Sequence, residues 1–267
     1  MIYFCPTPIG NLSDITYRTV EVLERVTTIA CEDTRVTQKL LNHLQIKKKL
    51  ISYHKFNERQ KAASLVALGQ EEDVAVVSDA GMPGISDPGA VLVEALIEAG
   101  VDFEVLPGAN AALTALVSSG LSTEHFLFYG FLDAKEGKRR EQLESLKALP
   151  FTLIFYEAPH RIYKTLSSLY EVLGPRHVSV SRELTKLYES HYRFRLGEDT
   201  DEIADKGEFV IVVEGSSDVP TYDVKAMLQA YMDEGMRPSQ AVKAVAKATN
   251  LPKNTIYEMS LELKEKA

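Results

Sequence analysis

Short apolar runs alternate with amphipathic stretches along most of this chain, and that alternation restricts the fold more than any other feature. Residues 74–77 and 209–213 are apolar throughout and too short for helices, the pattern of strands buried on both faces. Strand signals at 1–5, 28–31, 50–52 and 103–106 are separated by helical spacing at 16–26, 36–44, 59–68 and 90–99, with a small-residue helix at 111–118. Repeated strand–helix units predict a mostly parallel sheet with helices on both faces. Ser118-Ser119-Gly120-Leu121-Ser122 marks a boundary between α/β domains at 1–117 and 122–215. The second half restarts with strands at 126–130, 152–156, 178–180 and 209–213, an antiparallel strand at 192–196, and helices at 140–148 and 160–173. Beyond Gly215 the pattern is only helical, at 223–233, 238–248 and 253–265 with a break at Leu251-Pro252, so 222–267 reads as a small α-helical appendage.

Bulk properties narrow the functional classes. The chain has 267 residues, 45% of them hydrophobic, and a formal net charge of −8, which disfavours a general nucleic-acid binder but permits a local basic patch. No apolar run reaches the length of a membrane span and no signal peptide precedes the fold, so a cytoplasmic location is expected. Cys5 and Cys31 sit in or beside buried strands and read as inert core thiols; the six histidines lack zinc-ligand spacing, so no metal is expected.

Chemistry concentrates in the loops. There is no G-x-G-x-x-G after the first strand, no P-loop and no G-x-S-x-G elbow. Instead, polar Gly/Pro-rich loops follow the strands, and the richest runs from Ser78 to Gly89, with three Gly between Asp79 and Gly89, two Pro, and the carboxylates Asp79 and Asp87. Such loops lie at the carboxyl edge of an α/β sheet, where ligands bind.

Thr7-Pro8-Ile9-Gly10-Asn11, Glu32-Asp33-Thr34-Arg35, Ser78-Asp79-Ala80-Gly81 with Ser86-Asp87-Pro88-Gly89, and Arg182-Glu183-Leu184-Thr185-Lys186 occur in one order. Over roughly four-fifths of the chain they resemble the bacterial small-subunit ribosomal RNA ribose 2′-O-methyltransferases, which modify a decoding-centre cytidine and belong to the tetrapyrrole methylase superfamily. The resemblance implies a two-domain α/β fold with S-adenosylmethionine in the cleft between the domains, and a homodimer. It places cofactor contacts at Pro8, Gly10, Asp79, Ala80, Gly81, Met82, Ile85, Pro107, Asn110 and Ala111, with Phe155 and Tyr156 closing over the ligand. Met82 stands where a small polar residue is expected, and Cys5 replaces a small residue before the first proline. Within the long loop, Asp79 is the expected ligand and Asp87 the expected brace.

Methyl transfer to a ribose hydroxyl needs in-line alignment and removal of a proton. Glu32, Asp33, Glu183 and Lys186 are the candidates, the lysine acting if burial makes it neutral. Glu32, Asp33 and Arg35 read equally well as an ion pair fixing a helix start, and His160 reads as a cap rather than a base. Lys135, Lys138, Arg139, Arg140, Arg161, Arg182 and Arg35 are candidate RNA contacts, with a solvated face the alternative reading. The last helices have helix-turn-helix-like spacing, although their candidate recognition segment, 252–256, holds one cation, Lys253. Two other functions compete: methylation of a small tetrapyrrole or another acceptor, and ribosome-assembly binding of RNA without turnover.

Overall fold

Alternation within the strands decides which face each side chain covers. In the computed structural model, which describes residues 1–198, 203–217, 223–249 and 253–264, the first sheet contains β1 (Ile2–Phe4), β2 (Thr28–Cys31), β3 (Lys49–Ser52), β4 (Val74–Val77) and β5 (Phe103–Val105). The spatial order is β3-β2-β4-β1-β5 and every pairing is parallel. Tyr3, Ile29, Cys31, Ala75 and Val77 point to one face, where α1 (Tyr17–Arg25) and α2 (Thr34–His43) add Val22, Leu23 and Leu41. Ile2, Phe4, Ala30, Val74 and Val76 point to the other, covered by Ala62 and Leu65 of α3 (Glu58–Glu71) and by Leu92 and Leu96 of α4 (Ala90–Ala99). Adjacent strands β1 and β4 thus send their helices to opposite faces, which opens a crevice at their carboxyl ends.

The second sheet corrects the parallel expectation. It contains β6 (Phe126–Phe131), β7 (Thr152–Glu157), β8 (His177–Arg182), β9 (Ser190–Arg195) and β10 (Phe209–Val213), ordered β6-β7-β10-β8-β9. Only β6 and β7 pair in parallel; β10 runs antiparallel to both β7 and β8, and β9 antiparallel to β8. One face packs on α6 (Glu136–Leu146) and α7 (Ile162–Leu173) through Leu143, Leu146, Leu166 and Leu169. The other packs on α5 (Ala111–Ser119), where Ala112, Ala115 and Leu116 meet Ile154, Val210 and Val212 together with Ile9 and Leu184. This cluster joins residues from both halves, so Met1–Ser216 forms one compact unit that holds both sheets.

Residues 217–267 form a second unit. Its helices α8 (Val224–Asp233), α9 (Pro238–Thr249) and α10 (Lys253–Lys264) share a core of Val224, Leu228, Ala241, Val242, Val245 and Ile256. The predicted break at Leu251-Pro252 lies outside the described residues. Among the described residues, no helix is long and apolar enough to cross a membrane, no group of side chains has the makings of a metal site, and both cysteines are free and buried.

Candidate active site

The loops after β1, β2, β4 and β5 gather at one edge of the first sheet and are tied together. Thr7 and Gly81 exchange backbone hydrogen bonds of 2.9 Å in both directions, and the Thr7 hydroxyl donates to the Ser78 carbonyl at 3.1 Å. The Asp33 amide donates to Asp79 Oδ1 at 2.9 Å, joining the loop after β2 to the loop after β4. Gly89 has φ of 151°, and a Cβ there would lie 2.9 Å from the Gly84 nitrogen, so the long loop closes on itself where no side chain fits.

These loops and the facing edge of the second sheet enclose a cavity of about 460 Å³. Ile9, Glu32, Asp79, Ala80, Gly81, Met82, Ile85, Ser86, Asp87, Asn110 and Ala111 line one side. Phe131, Tyr156, Glu157, Ala158, Pro159, Leu184, Glu208, Phe209 and Val210 line the other. Tyr156 is held edge-on by Phe128 and Phe131, with ring centroids 4.9 and 5.6 Å away.

Of the five carboxylates that line this cavity, the three on the first-sheet side hold protons more tightly than free carboxylates do. Burial pushes Asp87 up to about 7, with the charges of Glu32 and Asp79 adding to it. Burial also raises Glu32, helped by Asp79 and opposed by the positive charges of His54 and Lys55. Asp79 rises through burial as well, against the Asp33 amide bond that favours its ionised form. Mutual repulsion in a poorly hydrated site has this signature, and a cationic ligand relieves it.

The pH dependence of stability follows from Asp87. Between an ordinary carboxyl value of 3.8 and the folded value of about 7, the folded chain keeps a proton that the unfolded chain releases. Stability therefore falls as pH rises through that window, and the cost persists above it. Asp87→Asn is expected to melt higher than the wild type at pH 8 and at the same temperature at pH 4. Calorimetric melts across the range would contradict this if the difference were constant with pH.

Other expected site residues fall elsewhere. Asp33 caps α2 by accepting from the Arg35 amide at 2.8 Å, and the Arg35 guanidinium on its carboxylate, with that backbone bond, holds it down at about 2. Asp33 and Arg35 are thus the helix-fixing pair, while Glu32 stands apart from them in the cavity. Glu183 and Lys186 do not line the cavity. Lys186 Nζ donates to Glu183 Oε1 and Glu208 Oε2, both at 2.8 Å. Burial pulls the ammonium down, but those bonds outweigh it and the net shift is upward. Burial likewise pushes Glu183 up, and its bonds from Lys186 and the Glu208 amide reverse the sign. A lysine so held has no lone pair at neutral pH, which corrects the neutral-base expectation.

Asp79, Ala80, Gly81, Met82, Ile85, Asn110, Ala111 and Tyr156 do come together around the cavity; Pro8, Gly10, Pro107 and Phe155 do not line it. The Phe155 side chain is fully buried in the helix-covered core on the opposite face of β7, because neighbours along a strand point to opposite faces. Pro107 is exposed on its loop. Gly10 permits contact instead of lining: a Cβ there would sit 2.4 Å from Lys186 Cγ, so the loops after β1 and β8 touch across the cleft.

The cations divide in the same way. Arg139 is buried and donates to the Ser168 hydroxyl and the carbonyls of Asp133 and Ala134. Arg161 bonds Glu157 and the Leu132 carbonyl. Arg182 bonds the carbonyls of Lys206 and Tyr188, and Arg140 pairs with Glu136 and Glu171. Only Lys135 and Lys138 of the second-domain cations named from sequence are exposed and form no ion pair among the described residues. His160 is exposed and caps nothing. Sequence reasoning missed Glu208, whose signal was its place immediately before the apolar run of β10, and undervalued Asp87, whose signal was its place in the most shaped loop.

The chain matches known proteins throughout. The family described as Tetrapyrrole (Corrin/Porphyrin) Methylases matches residues 1–199, and the family described as RsmI C-terminal HTH domain matches 218–264. "Ribosomal RNA small subunit methyltransferase I" of Bacillus subtilis is 42% identical, covering 97% of this chain and 93% of its own length. Its namesake in Escherichia coli O157:H7 is 43% identical, over 98% of this chain and 94% of its own length. Among solved structures, the methyltransferase CobJ superposes with a TM-score of 0.62 at 22% identity, covering 81% of this chain and 94% of its own. Diphthine synthase does so with 0.63 at 13%, over 80% and 89%. At such identities these two speak for the fold alone. The sequence matches are of another order, and the chain belongs to the tetrapyrrole methylase family.

Proposed function

We propose that this chain is an S-adenosylmethionine-dependent methyltransferase acting on the ribose 2′-hydroxyl of a cytidine in the decoding region of small-subunit (16S) ribosomal RNA. The observation that carries the reading is the cavity in which Glu32, Asp79 and Asp87 are crowded and reluctant to ionise, a setting suited to a cationic ligand. When bound, S-adenosylmethionine supplies a methyl group on a positively charged sulfonium. Asp79 and Asp87 offset its charge, while Met82, Ile85, Tyr156 and Val210 provide apolar walls for the adenine and Asn110-Ala111 provide backbone polar groups. The names of the full-length relatives support the ribosomal RNA acceptor.

Glu32 takes the proton of the ribose hydroxyl. It lines the cavity, and burial makes it hold a proton more tightly than a free carboxylate does, as a general base requires. Lys186 positions Glu208 on the opposite wall, and Lys135 and Lys138 meet phosphates. The enzyme acts as a homodimer in the cytoplasm.

Incubation with labelled S-adenosylmethionine and undermodified small ribosomal subunits tests this reading. Incorporation into those subunits, and none into fully modified subunits or a tetrapyrrole acceptor, is the expected result. Donor binding without incorporation into RNA would overturn the acceptor, and RNA binding indifferent to the donor would leave a binding module.

A further inference from the structure

Phe56 is 97% exposed, the most exposed large apolar side chain among the described residues, yet the loop that carries it is firmly built. Buried Tyr53 anchors the loop through its amide, which donates to the Cys31 carbonyl at 2.7 Å, one residue before Glu32. Asn57 closes it: its Oδ1 accepts from the His54 amide at 2.9 Å, its own amide donates to the His54 carbonyl at 2.9 Å, and its Nδ2 donates to the Ser52 carbonyl. His54 packs edge-on against the Phe56 ring, with centroids 6.0 Å apart. Lys55 and Arg59 lie one residue before and three residues after Phe56 in the chain, are exposed, and form no ion pair among the described residues. Cys31, to which the loop is tied, directly precedes Glu32 of the cavity wall, so the loop starts beside the cavity.

An aromatic ring held out in water by an ordered loop is a preformed stacking surface, which needs little further ordering when a flat ligand binds. Two unpaired cations beside it on an acidic chain select a polyanion with flat apolar faces. A ribose hydroxyl enters a cleft between two walls only if its nucleotide leaves the stack, which strips adjacent bases of a stacking partner. We propose that Phe56 stacks an unpaired base of the RNA strand beside the target nucleotide, while Lys55 and Arg59 contact its phosphates. This inference rests on the RNA-methyltransferase reading above.

The test uses the full chain and undermodified small subunits, with subunit affinity, donor affinity, melting temperature and solution mass read together. Phe56→Ala is expected to weaken subunit binding about 10-fold or more, as expected for one lost stacked base. Phe56→Trp should restore binding, and donor affinity, melting temperature and mass should stay unchanged. Ile97→Ala serves as control: this exposed residue lies at the C-terminal end of α4, which runs away from the cavity edge. Unchanged subunit binding by Phe56→Ala, or a change in oligomeric mass showing that Phe56 covers a second copy of the chain, overturns the inference. A wild-type chain that methylates no subunits overturns the reading beneath it, and that arm is read before any variant.

Discussion

Arg161→Ala will lower the melting temperature of this chain by roughly 6–20 °C, because it strands a buried carboxylate at a cost of about 3–5 kcal/mol. The Glu157 side chain has 0% exposure. Its Oε1 accepts from the Ala158 amide at 2.7 Å, and its Oε2 accepts from the Thr165 hydroxyl at 2.5 Å and from Arg161 Nη2 at 3.1 Å. Arg161 Nε lies 2.9 Å from Oε1 but is poorly aligned for a hydrogen bond, so Nη2 makes the bond that counts. Nη2 also donates to the Leu132 carbonyl at 2.7 Å, which fastens the end of β6 to the start of α7. Glu157 borders the cavity, so water entering it places the loss toward the lower end of the range. Adding Glu157→Gln to Arg161→Ala should recover much of the loss, since an amide is less costly to leave in that position. A melt of Arg161→Ala within 2 °C of the wild type would rule out this role.

Glu32→Gln will cut kcat by about 10²–10⁴-fold, the usual contribution of a positioned general base, and leave donor affinity near the wild-type value. The substitution keeps the side-chain shape and removes only the ability to take a proton. In the wild type, kcat should fall on the acid side as Glu32 is protonated, with that limb displaced above the ordinary carboxyl value of 4.5 because burial raises it. Asp87→Asn should behave differently, weakening donor binding more than it lowers kcat. Turnover by Glu32→Gln at the wild-type rate would remove that residue from the chemistry.

Much of this arrangement was legible in the chain, and the misses have physical causes. The bounds of β2, β4, β10 and α4 follow directly from apolar runs and helical spacing. The direction of β10 did not, because a strand buried on both faces has the same pattern whether its neighbours are parallel or antiparallel. The start of α2 at Thr34 was set by the Asp33 cap, ahead of the first apolar residue of the repeat. Arg139 sits in a charged run that looks solvated, and its burial depends on Ser168, 29 positions away. Phe155 and Tyr156 could have been separated from sequence alone, since strand alternation sends only one of them into the cleft. Asp79 and Asp87 could not, because their roles depend on which carboxylate the Asp33 amide reaches.

The most direct test of the central claim, that this acidic loop cavity directs a methyl group to a ribose oxygen, is the position of the methyl on the RNA. A ribose 2′-O-methyl group protects the adjoining phosphodiester from alkaline cleavage, so mapping alkali-resistant linkages after reaction with undermodified small subunits locates it. One new resistant linkage is expected, at a cytidine of the decoding region, formed by the wild type and lost with Glu32→Gln. Methyl groups found on a base, or label incorporated with no resistant linkage, would contradict it.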